Sequence, residues 1–242
     1  MLKLAIVGAN GRMGQRLIAL AGEDPGLAVA AALDVGDTHL PSGMDVLIDF
    51  STPAGFRHWL PACGEAGVAV VSGTTGLTPA DAALLDATAK RVPLLHATNM
   101  SPGVAVLNRL AAEAARMLGD EYDIEVLEAH HNRKVDAPSG TARTLLERLL
   151  KATGRDEAAL AHGRHGDDAR RAPRSIGVHA LRMGDEVGTH TAYFAGTGER
   201  IELTHKATSR DTFAAGALRA ARWLAGKPAG RYTIEDVVFA GR

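Results

Sequence analysis

The chain has 242 residues, enough for one large domain or two modest ones, and 46% of them are hydrophobic. Its formal net charge of −1 at pH 7 excludes an overall field that would favour nucleic acid or an anionic membrane surface. No apolar run is long enough to span a bilayer, so we expect no membrane partner. The single cysteine, Cys63, cannot form an internal disulfide, and the N-terminus lacks signal-peptide features, which together predict a cytoplasmic protein.

Short apolar runs alternate with helical patterns over the first hundred residues. The predicted strands are Lys3–Val7, Leu27–Leu33, Asp45–Phe50, Val68–Ser72 and Pro93–Ala97, and the predicted helices are Arg12–Ala21, Pro53–Ala66 and Pro79–Lys90. Only residues 35–44 join the second and third strands, so no helix is expected there. Strands separated by helices predict a parallel sheet with helices on both faces, which is a Rossmann-like α/β domain.

The pattern changes after residue 103, and the second half predicts a different, α+β domain. Polar residues 154–172 predict a mobile loop. The later strands are separated by glycine-containing turns, so we expect them to pair as antiparallel hairpins. The predicted elements are helices Val104–Leu118, Thr141–Thr153 and Thr212–Ala225, and strands Tyr122–Ala129, Ser175–Met183, Val187–Ala195 and Arg200–Lys206.

A glycine-rich loop joins the first strand to the first helix. Gly8, Gly11 and Gly14 would allow a tight turn and close approach of a pyrophosphate to the helix N-terminus. Because the spacing is G-x-x-G-x-x-G rather than the commoner G-x-G-x-x-G, a tight turn without a ligand remains an alternative. Asp34 ends the second strand about 20 residues further on, where an acidic side chain binds the ribose of a dinucleotide. An ordinary loop carboxylate is the alternative for Asp34.

Two further loops follow strands of the predicted parallel sheet, at the edge where such sheets bind ligands. Residues 72–76 contain Gly73, which would allow the backbone to approach a nicotinamide ring, and Thr74 and Thr75, which offer hydrogen bonds to its carboxamide. Asn99, within residues 97–101, also offers hydrogen bonds to the carboxamide. Ordinary turn chemistry is the alternative for both loops.

Residues 128–142 form the chemically richest segment. His130, His131 and Lys134 lie close together in the sequence. Ser139-Gly140-Thr141 then presents N–H groups and hydroxyls at a helix start, which is an anion site. A histidine beside such a site could donate a proton near neutral pH. A metal-binding fragment and a solvated basic loop before a capped helix are the alternatives. We expect no metal, since no third ligand lies at a useful spacing.

Four segments resemble the motifs of the 4-hydroxy-tetrahydrodipicolinate reductase (dihydrodipicolinate reductase) family. They are residues 8–14, 73–76, 128–142 (EAHHNRKVDAPSGTA) and 198–213 (GERIELTHKATSRDTF). They occur in the family's order, and the resemblance covers nearly the whole chain. It implies a dinucleotide-binding domain of residues 1–101 and 211–242. Residues 102–210 would form a substrate-binding and oligomerisation domain, whose open mixed sheet forms the core of a homotetramer.

The implied reaction transfers a hydride from NADH or NADPH to a cyclic imine dicarboxylate, in lysine and diaminopimelate biosynthesis. The resemblance implies catalytic roles for His130 and Lys134. It implies substrate contacts at His131, Ser139, Gly140 and Thr141. It implies cofactor contacts at Gly8, Ala9, Asn10, Gly11, Arg12, Met13, Asp34, Gly73, Thr74, Thr75, Ala97, Thr98, Asn99, Met100 and Arg210.

Two departures from the family concern the segment after Asp34. Residues 35–44 are fewer than in many members, and Val35 replaces the arginine that follows the acid. We therefore expect NADH to be preferred, with some NADPH activity surviving through Arg12 or His39. Two other functions remain open: another NAD(P)-dependent imine or aldehyde reductase of amino-acid metabolism, and a redox-sensing protein that binds NADH without turnover.

Overall fold

In a computed structural model, which describes residues 1–241, the chain divides into two compact units. The first unit combines Met1–Pro102 with the segment that begins at Arg210, and the second is Gly103–Ser209. Over residues 1–241, no helix combines the length and apolar character needed to cross a membrane.

Strands and helices alternate in the first unit, except between its second and third strands. In chain order, the strands are β1 (Leu2–Val7), β2 (Leu27–Leu33), β3 (Val46–Asp49), β4 (Ala69–Ser72), β5 (Pro93–His96), β6 (Asp123–His130), β7 (Leu160–His162), β8 (Ile176–Arg182), β9 (Gly188–Gly196), β10 (Glu199–Ala207) and β11 (Gly230–Tyr232). The helices are α1 (Arg12–Gly22), α2 (Pro53–Ala66), α3 (Pro79–Ala89), α4 (Pro102–Leu118), α5 (Gly140–Thr153), α6 (Asp211–Leu224) and α7 (Ile234–Phe239).

The first unit contains a six-stranded sheet in the order β11-β5-β4-β3-β1-β2, and every pairing is parallel. One apolar cluster packs α1 and α6 against the sheet, and another packs α2 and α3 against it, so both faces are covered. The predicted Rossmann-like sheet is therefore confirmed, and no helix lies between β2 and β3. Strand β11 and helix α7 were not predicted, because their sequences are too short to show a period.

The second unit contains a five-stranded mixed sheet in the order β10-β9-β6-β8-β7. Strand β6 pairs with β8 in parallel and with β9 in antiparallel orientation. The predicted hairpin of β9 and β10 is confirmed, but the predicted hairpin of β8 and β9 is wrong, since β6 lies between them. The connection after β8 passes the end of β6, where the Met183 N–H donates to the His130 carbonyl at 2.9 Å. A glycine-containing turn in the sequence predicts that the chain reverses direction, but it does not predict which strand the next strand pairs with.

The polar segment 154–172 contains more secondary structure than predicted. It contains a 3₁₀ turn at Glu157–Ala159 and the edge strand β7, which pairs in parallel with β8. Arg164 and Arg171 hold its remainder by ion pairs with the Glu125 carboxylate of β6. Residues 157–162 are therefore a 3₁₀ turn and a strand rather than a loop, which corrects the prediction for that part of the segment. Residues 163–172 contain no helix or strand.

Helix α6 approaches the loop after β5 so closely that only glycine fits at position 216. A Cβ on Gly216 would lie 1.9 Å from the Met100 carbonyl oxygen. We expect Gly216→Ala to lower the free energy of unfolding by about 1–3 kcal/mol, the usual cost of overpacking. Thermal denaturation measures the effect.

Gly22, the last residue of α1, is the matched control. No atom lies within 4 Å of its Cβ position, so Gly22→Ala should leave the melting temperature unchanged or raise it. Equal melting temperatures for the Gly216→Ala variant and the wild type would contradict the close approach.

Candidate active site

A pocket of about 410 Å³ opens beside the glycine loop of the first unit. It lies at the carboxyl ends of β1, β2 and β3, where parallel sheets bind ligands. Its walls include Gly8, Gly11, Asp34, Val35, Phe50 and Trp59. An aromatic wall, an exposed loop backbone and the Asp34 carboxylate suit an adenine–ribose group.

The loop requires its glycines for steric reasons. Gly8 has φ +78°, and a Cβ there would lie 2.6 Å from the Phe50 carbonyl oxygen. A Cβ on Gly14 would lie 2.1 Å from the Gly8 carbonyl oxygen, so α1 starts directly against the loop. No side chain caps the N-terminus of α1. This geometry leaves the helix N-terminus open to an anion.

Asp34 is oriented by backbone donors at the end of β2. Its Oδ2 accepts the Asn10 N–H at 2.7 Å, and its Oδ1 accepts the Val35 N–H at 2.8 Å. These hydrogen bonds, that of Asn10 first, lower the pKa of the Asp34 carboxyl. The ionised carboxylate is therefore favoured, and it has further lone pairs that can accept from hydroxyl donors. Val35, beside it, is 97% exposed, and its side chain carries neither a charge nor a hydrogen-bond donor.

In the loops after β4 and β5, fewer side chains are available to a ligand than the sequence predicts. The Thr74 hydroxyl donates to the buried Asp49 carboxylate at 2.8 Å, and Met100 is 1% exposed in the core. A Cβ on Gly73 would lie 2.4 Å from the Phe50 ring, so packing alone explains this glycine. Asn99 Oδ1 accepts the Ser101 N–H at 2.8 Å.

The other predicted cofactor residues of the first unit lie in two groups. Exposed residues are Asn10, Arg12, Thr75 and Thr98. Ala9 is buried, while Met13 and Ala97 are half-buried against the core and Arg210 is half-buried directly before α6.

In the second unit, His130 ends β6 and is held by a buried carboxylate. Its side chain is 11% exposed, and its Nδ1 lies 2.6 Å from Oε2 of Glu128, which has no exposed surface. Arg182, on β8, donates to both oxygens of Glu128 at 2.8 and 2.9 Å. The rings of His130 and His190 meet edge to face, with 5.1 Å between centroids.

The same carboxylate reaches the start of α5. Glu128 Oε1 accepts the Ser139 N–H at 3.1 Å, and Ser139 is the N-cap of this helix. The Ser139 hydroxyl accepts the Ala142 N–H and contacts His190 Nε2 at 3.0 Å. This serine is 2% exposed, so its hydroxyl shapes the helix start rather than facing solvent. Gly140 and Thr141, the first residues of α5, follow it.

Lys134 and His131 lie on the turn between β6 and α5. The Lys134 ammonium is 2.8 Å from Asp136 Oδ1, and the lysine side chain is 21% exposed. His131 is half-buried. An anionic ligand that binds Lys134 must therefore compete with Asp136.

Burial and pairing set the charges of this site. Burial opposes ionisation of Glu128, but hydrogen bonds from His130 and Arg182 outweigh it and lower the pKa of this carboxyl to about 2. Burial, followed by the nearby His130, lowers the pKa of His190 to about 3. The site therefore places an ionised glutamate and a neutral His190 beside His130.

Glu128, Arg182 and His190 were not predicted as functional residues. The i, i+2 spacing of Glu128 and His130 on one strand was a usable signal, because such residues share a face. Arg182 and His190 are distant in sequence and adjoin the site only through the strand order. Cys63 is fully buried, and burial raises the pKa of its thiol to about 12, which excludes it as a nucleophile.

The parallel sheet, the glycine loop and the acid at the end of β2 define the class of protein, an oxidoreductase that uses a nicotinamide dinucleotide. Family models of dihydrodipicolinate reductase match residues 2–100 (N-terminus) and 103–238 (C-terminus). The chain belongs to the dihydrodipicolinate reductase family. Groups of three or more acidic, histidine or cysteine side chains suited to a metal are absent from residues 1–241.

Curated relatives extend the match over both units. The 4-hydroxy-tetrahydrodipicolinate reductases of Thiobacillus denitrificans and Myxococcus xanthus are each 46% identical to this chain, and each match covers 98% of both proteins. Dihydrodipicolinate reductase from Paenisporosarcina sp. TG-14, solved with dipicolinate bound, has a TM-score of 0.72 at 22% identity and covers 96% of this chain and 97% of its own.

Amino-acid dehydrogenases share the fold alone. DAP dehydrogenase of C. glutamicum has a TM-score of 0.55 at 14% identity, over all of this chain and 96% of its own. Nothing in these comparisons favours another imine or aldehyde reductase as the function.

Proposed function

We propose that this chain reduces 4-hydroxy-tetrahydrodipicolinate to tetrahydrodipicolinate, consuming NAD(P)H and a proton and releasing water. The observation that carries the proposal is Glu128, which contacts both the histidine that would protonate the substrate and the helix start that would bind its carboxylates. Identity of 46% to reductases named for this substrate supports it.

The second unit would bind the cyclic imine dicarboxylate. N–H groups at the start of α5, from Gly140 and Thr141, would bind one carboxylate, with Lys134 and His131 as charge-assisted donors. His130 would protonate the substrate from Nε2, since its Nδ1 is bound to Glu128. Ser139 would act through the helix cap that it forms.

The first unit would bind the dinucleotide, and its pocket fits the adenosine end. The start of α1 and residues 8–13 would bind the pyrophosphate, and Asp34 would bind the ribose hydroxyls. Residues 73–75 and 97–100 would surround the nicotinamide, Thr74 and Met100 through their backbones. Arg210, which lies directly before α6, would also contact the dinucleotide. When bound, the reduced nicotinamide supplies the hydride.

NADH should be preferred over NADPH. Asp34 is a fixed anion that would repel a 2′-phosphate, and Val35 offers no cation beside it. Exposed Arg12 would support some NADPH activity. We expect Val35→Arg to raise kcat/KM for NADPH by about 5- to 30-fold, as one charge-assisted pair with phosphate would. Steady-state assays with each cofactor measure the change.

Val35→Gln is the matched control, since it adds length and a donor without a charge. It should improve NADPH use far less than Val35→Arg, while NADH use changes little in both variants. A wild-type enzyme with a strong preference for NADPH would exclude this account of the pocket.

We also propose a cytoplasmic homotetramer that assembles through the second unit. The family resemblance supports this assembly, and so does the 43% exposure of Leu181 on the sheet face opposite the helices. Sedimentation velocity should show a tetramer, and a stable monomer at assay concentration would contradict it.

The function is tested by NADH oxidation with freshly generated 4-hydroxy-tetrahydrodipicolinate. We expect oxidation that depends on the imine and is inhibited by pyridine-2,6-dicarboxylate. The same assay with aspartate or homoserine should show no cofactor turnover. Turnover of these amino acids without turnover of the imine would replace the proposed function with an amino-acid dehydrogenase.

A further inference from the structure

We infer that Glu128 is a positioning residue of the reaction, which fixes the ring orientation and tautomer of His130 so that Nε2 carries the transferable proton. The inference deepens the proposed function and rests on it. Glu128 itself would touch neither the substrate nor the cofactor.

The geometry of β6 supports this role. Glu128 and His130 are two residues apart on one strand, so their side chains share a face. The carboxylate oxygen Oε2 lies 2.6 Å from Nδ1. Because an ionised carboxylate can only accept hydrogen bonds, the proton between them belongs to Nδ1. The other ring nitrogen, Nε2, is then the atom that releases a proton, and the neutral product ring keeps its Nδ1–H.

Arg182 keeps the Glu128 carboxylate ionised and in place. It donates from both terminal nitrogens, one to each carboxylate oxygen, and its Nη2 also reaches the Asp136 carbonyl at 2.6 Å. Glu128, which is fully buried, cannot rotate away from His130 without losing its ion pair with the half-buried Arg182, which is costly. The pair therefore restricts the imidazole as the orienting acid does in catalytic triads of other enzymes.

The surroundings of His130 Nε2 agree with the assignment of the transferable proton to this nitrogen. A Cβ at Gly188 would lie 3.1 Å from Nε2, so a larger residue at that position would crowd this nitrogen. Nδ1 is covered by Glu128, whereas Nε2 faces a residue without a side chain. Because Nδ1 is hydrogen-bonded to Glu128, Nε2 is the ring nitrogen that remains for a ligand.

One carboxylate also connects the proton donor to the anion site. Oε1 accepts the Ser139 N–H at 3.1 Å, at the residue that caps α5. A substrate bound at the helix start would thus be held relative to Nε2 through a single rigid group. Orientation of this kind contributes to rate through proximity.

The test compares Glu128→Gln with the wild type. Glutamine keeps the shape but removes the charge that stabilises the imidazolium, and only its amide oxygen, not its amide nitrogen, can accept the Nδ1 proton. We expect kcat to fall by about 10²- to 10³-fold, within the range for loss of general acid catalysis. The KM for NADH should be unchanged, because the cofactor would be bound by the other unit.

A double-mutant cycle separates positioning from a purely structural role. If Glu128 acts through His130, the variant with both Glu128→Gln and His130→Gln should be no slower than His130→Gln alone. If the fold-decreases in kcat of the two single variants multiply in the double variant, the inference is overturned. A wild-type kcat in the Glu128→Gln variant would also overturn it. If Glu128→Gln does not fold, the cycle is repeated with Glu128→Asp, which keeps the charge but draws it away from Nδ1.

Glu125→Gln is the matched control. Glu125 lies on the opposite face of β6 and also pairs with a histidine, His179 at 2.7 Å, and with Arg164 at 2.8 Å. It should lower thermal stability without lowering the kcat of the assembled tetramer, and an equal loss of kcat by the tetramer would overturn the inference. Absence of imine turnover by the wild type would instead overturn the proposed function, and this inference with it.

Discussion

Replacement of His130 by glutamine should lower kcat by about 10²- to 10⁴-fold, the contribution of a positioned general acid. Glutamine can still hydrogen-bond to Glu128 but has no proton to release near neutral pH. Because His130 acts in the proton step, KM should change less than kcat. Steady-state assays with the cyclic imine and NADH measure both parameters.

His165→Gln is the control for this substitution. His165 is exposed in the polar segment before β8, so its replacement should leave kcat unchanged. Near-wild-type turnover by His130→Gln would remove His130 from the mechanism and transfer the proton step to another group.

Replacement of Lys134 by alanine should weaken inhibition by pyridine-2,6-dicarboxylate by about 10- to 100-fold. The loss corresponds to one charge-assisted contact of about 1.5–3 kcal/mol. Lys134 contacts Asp136 at 2.8 Å, so the variant also leaves this carboxylate without its ammonium partner near the anion site. The remaining negative charge should add to the loss of affinity. Turnover should slow as well. Steady-state kinetics with the inhibitor gives the inhibition constants of the variant and the wild type, and their ratio measures the loss of affinity.

Arg133→Ala is the control, because it removes the neighbouring cation, which is exposed. It should leave the inhibition constant close to that of the wild type. Equal inhibition of the wild type and the Lys134→Ala variant would show that the dicarboxylate binds elsewhere.

Two side chains that the sequence predicts to contact a ligand face the protein interior instead. The hydroxyls of Thr74 and Ser139 are both candidate ligand donors in the sequence, yet both are engaged internally, with Asp49 and with the cap of α5. A motif identifies the loop that approaches a ligand. Only the packing around the loop decides which of its atoms face outward.

The sequence by itself determined the parallel sheet of the first unit, the glycine loop and the histidine segment. Buried parallel strands are continuous apolar runs, and a glycine loop or helix cap depends on residues adjacent in the chain, so the signals are local. The family resemblance was equally visible, because its longest motif, residues 128–142, is contiguous.

The tertiary structure alone decided the strand order of the second sheet and the partners of His130. Strand β6 lies between β8 and β9, and this order brings Arg182 and His190 to Glu128 and His130 from more than 50 residues away. Pairing of distant strands depends on which edges and faces become buried together, and no local pattern records that competition. The sequence therefore showed the residue that can donate a proton, whereas the sheet decided which residues hold it in place.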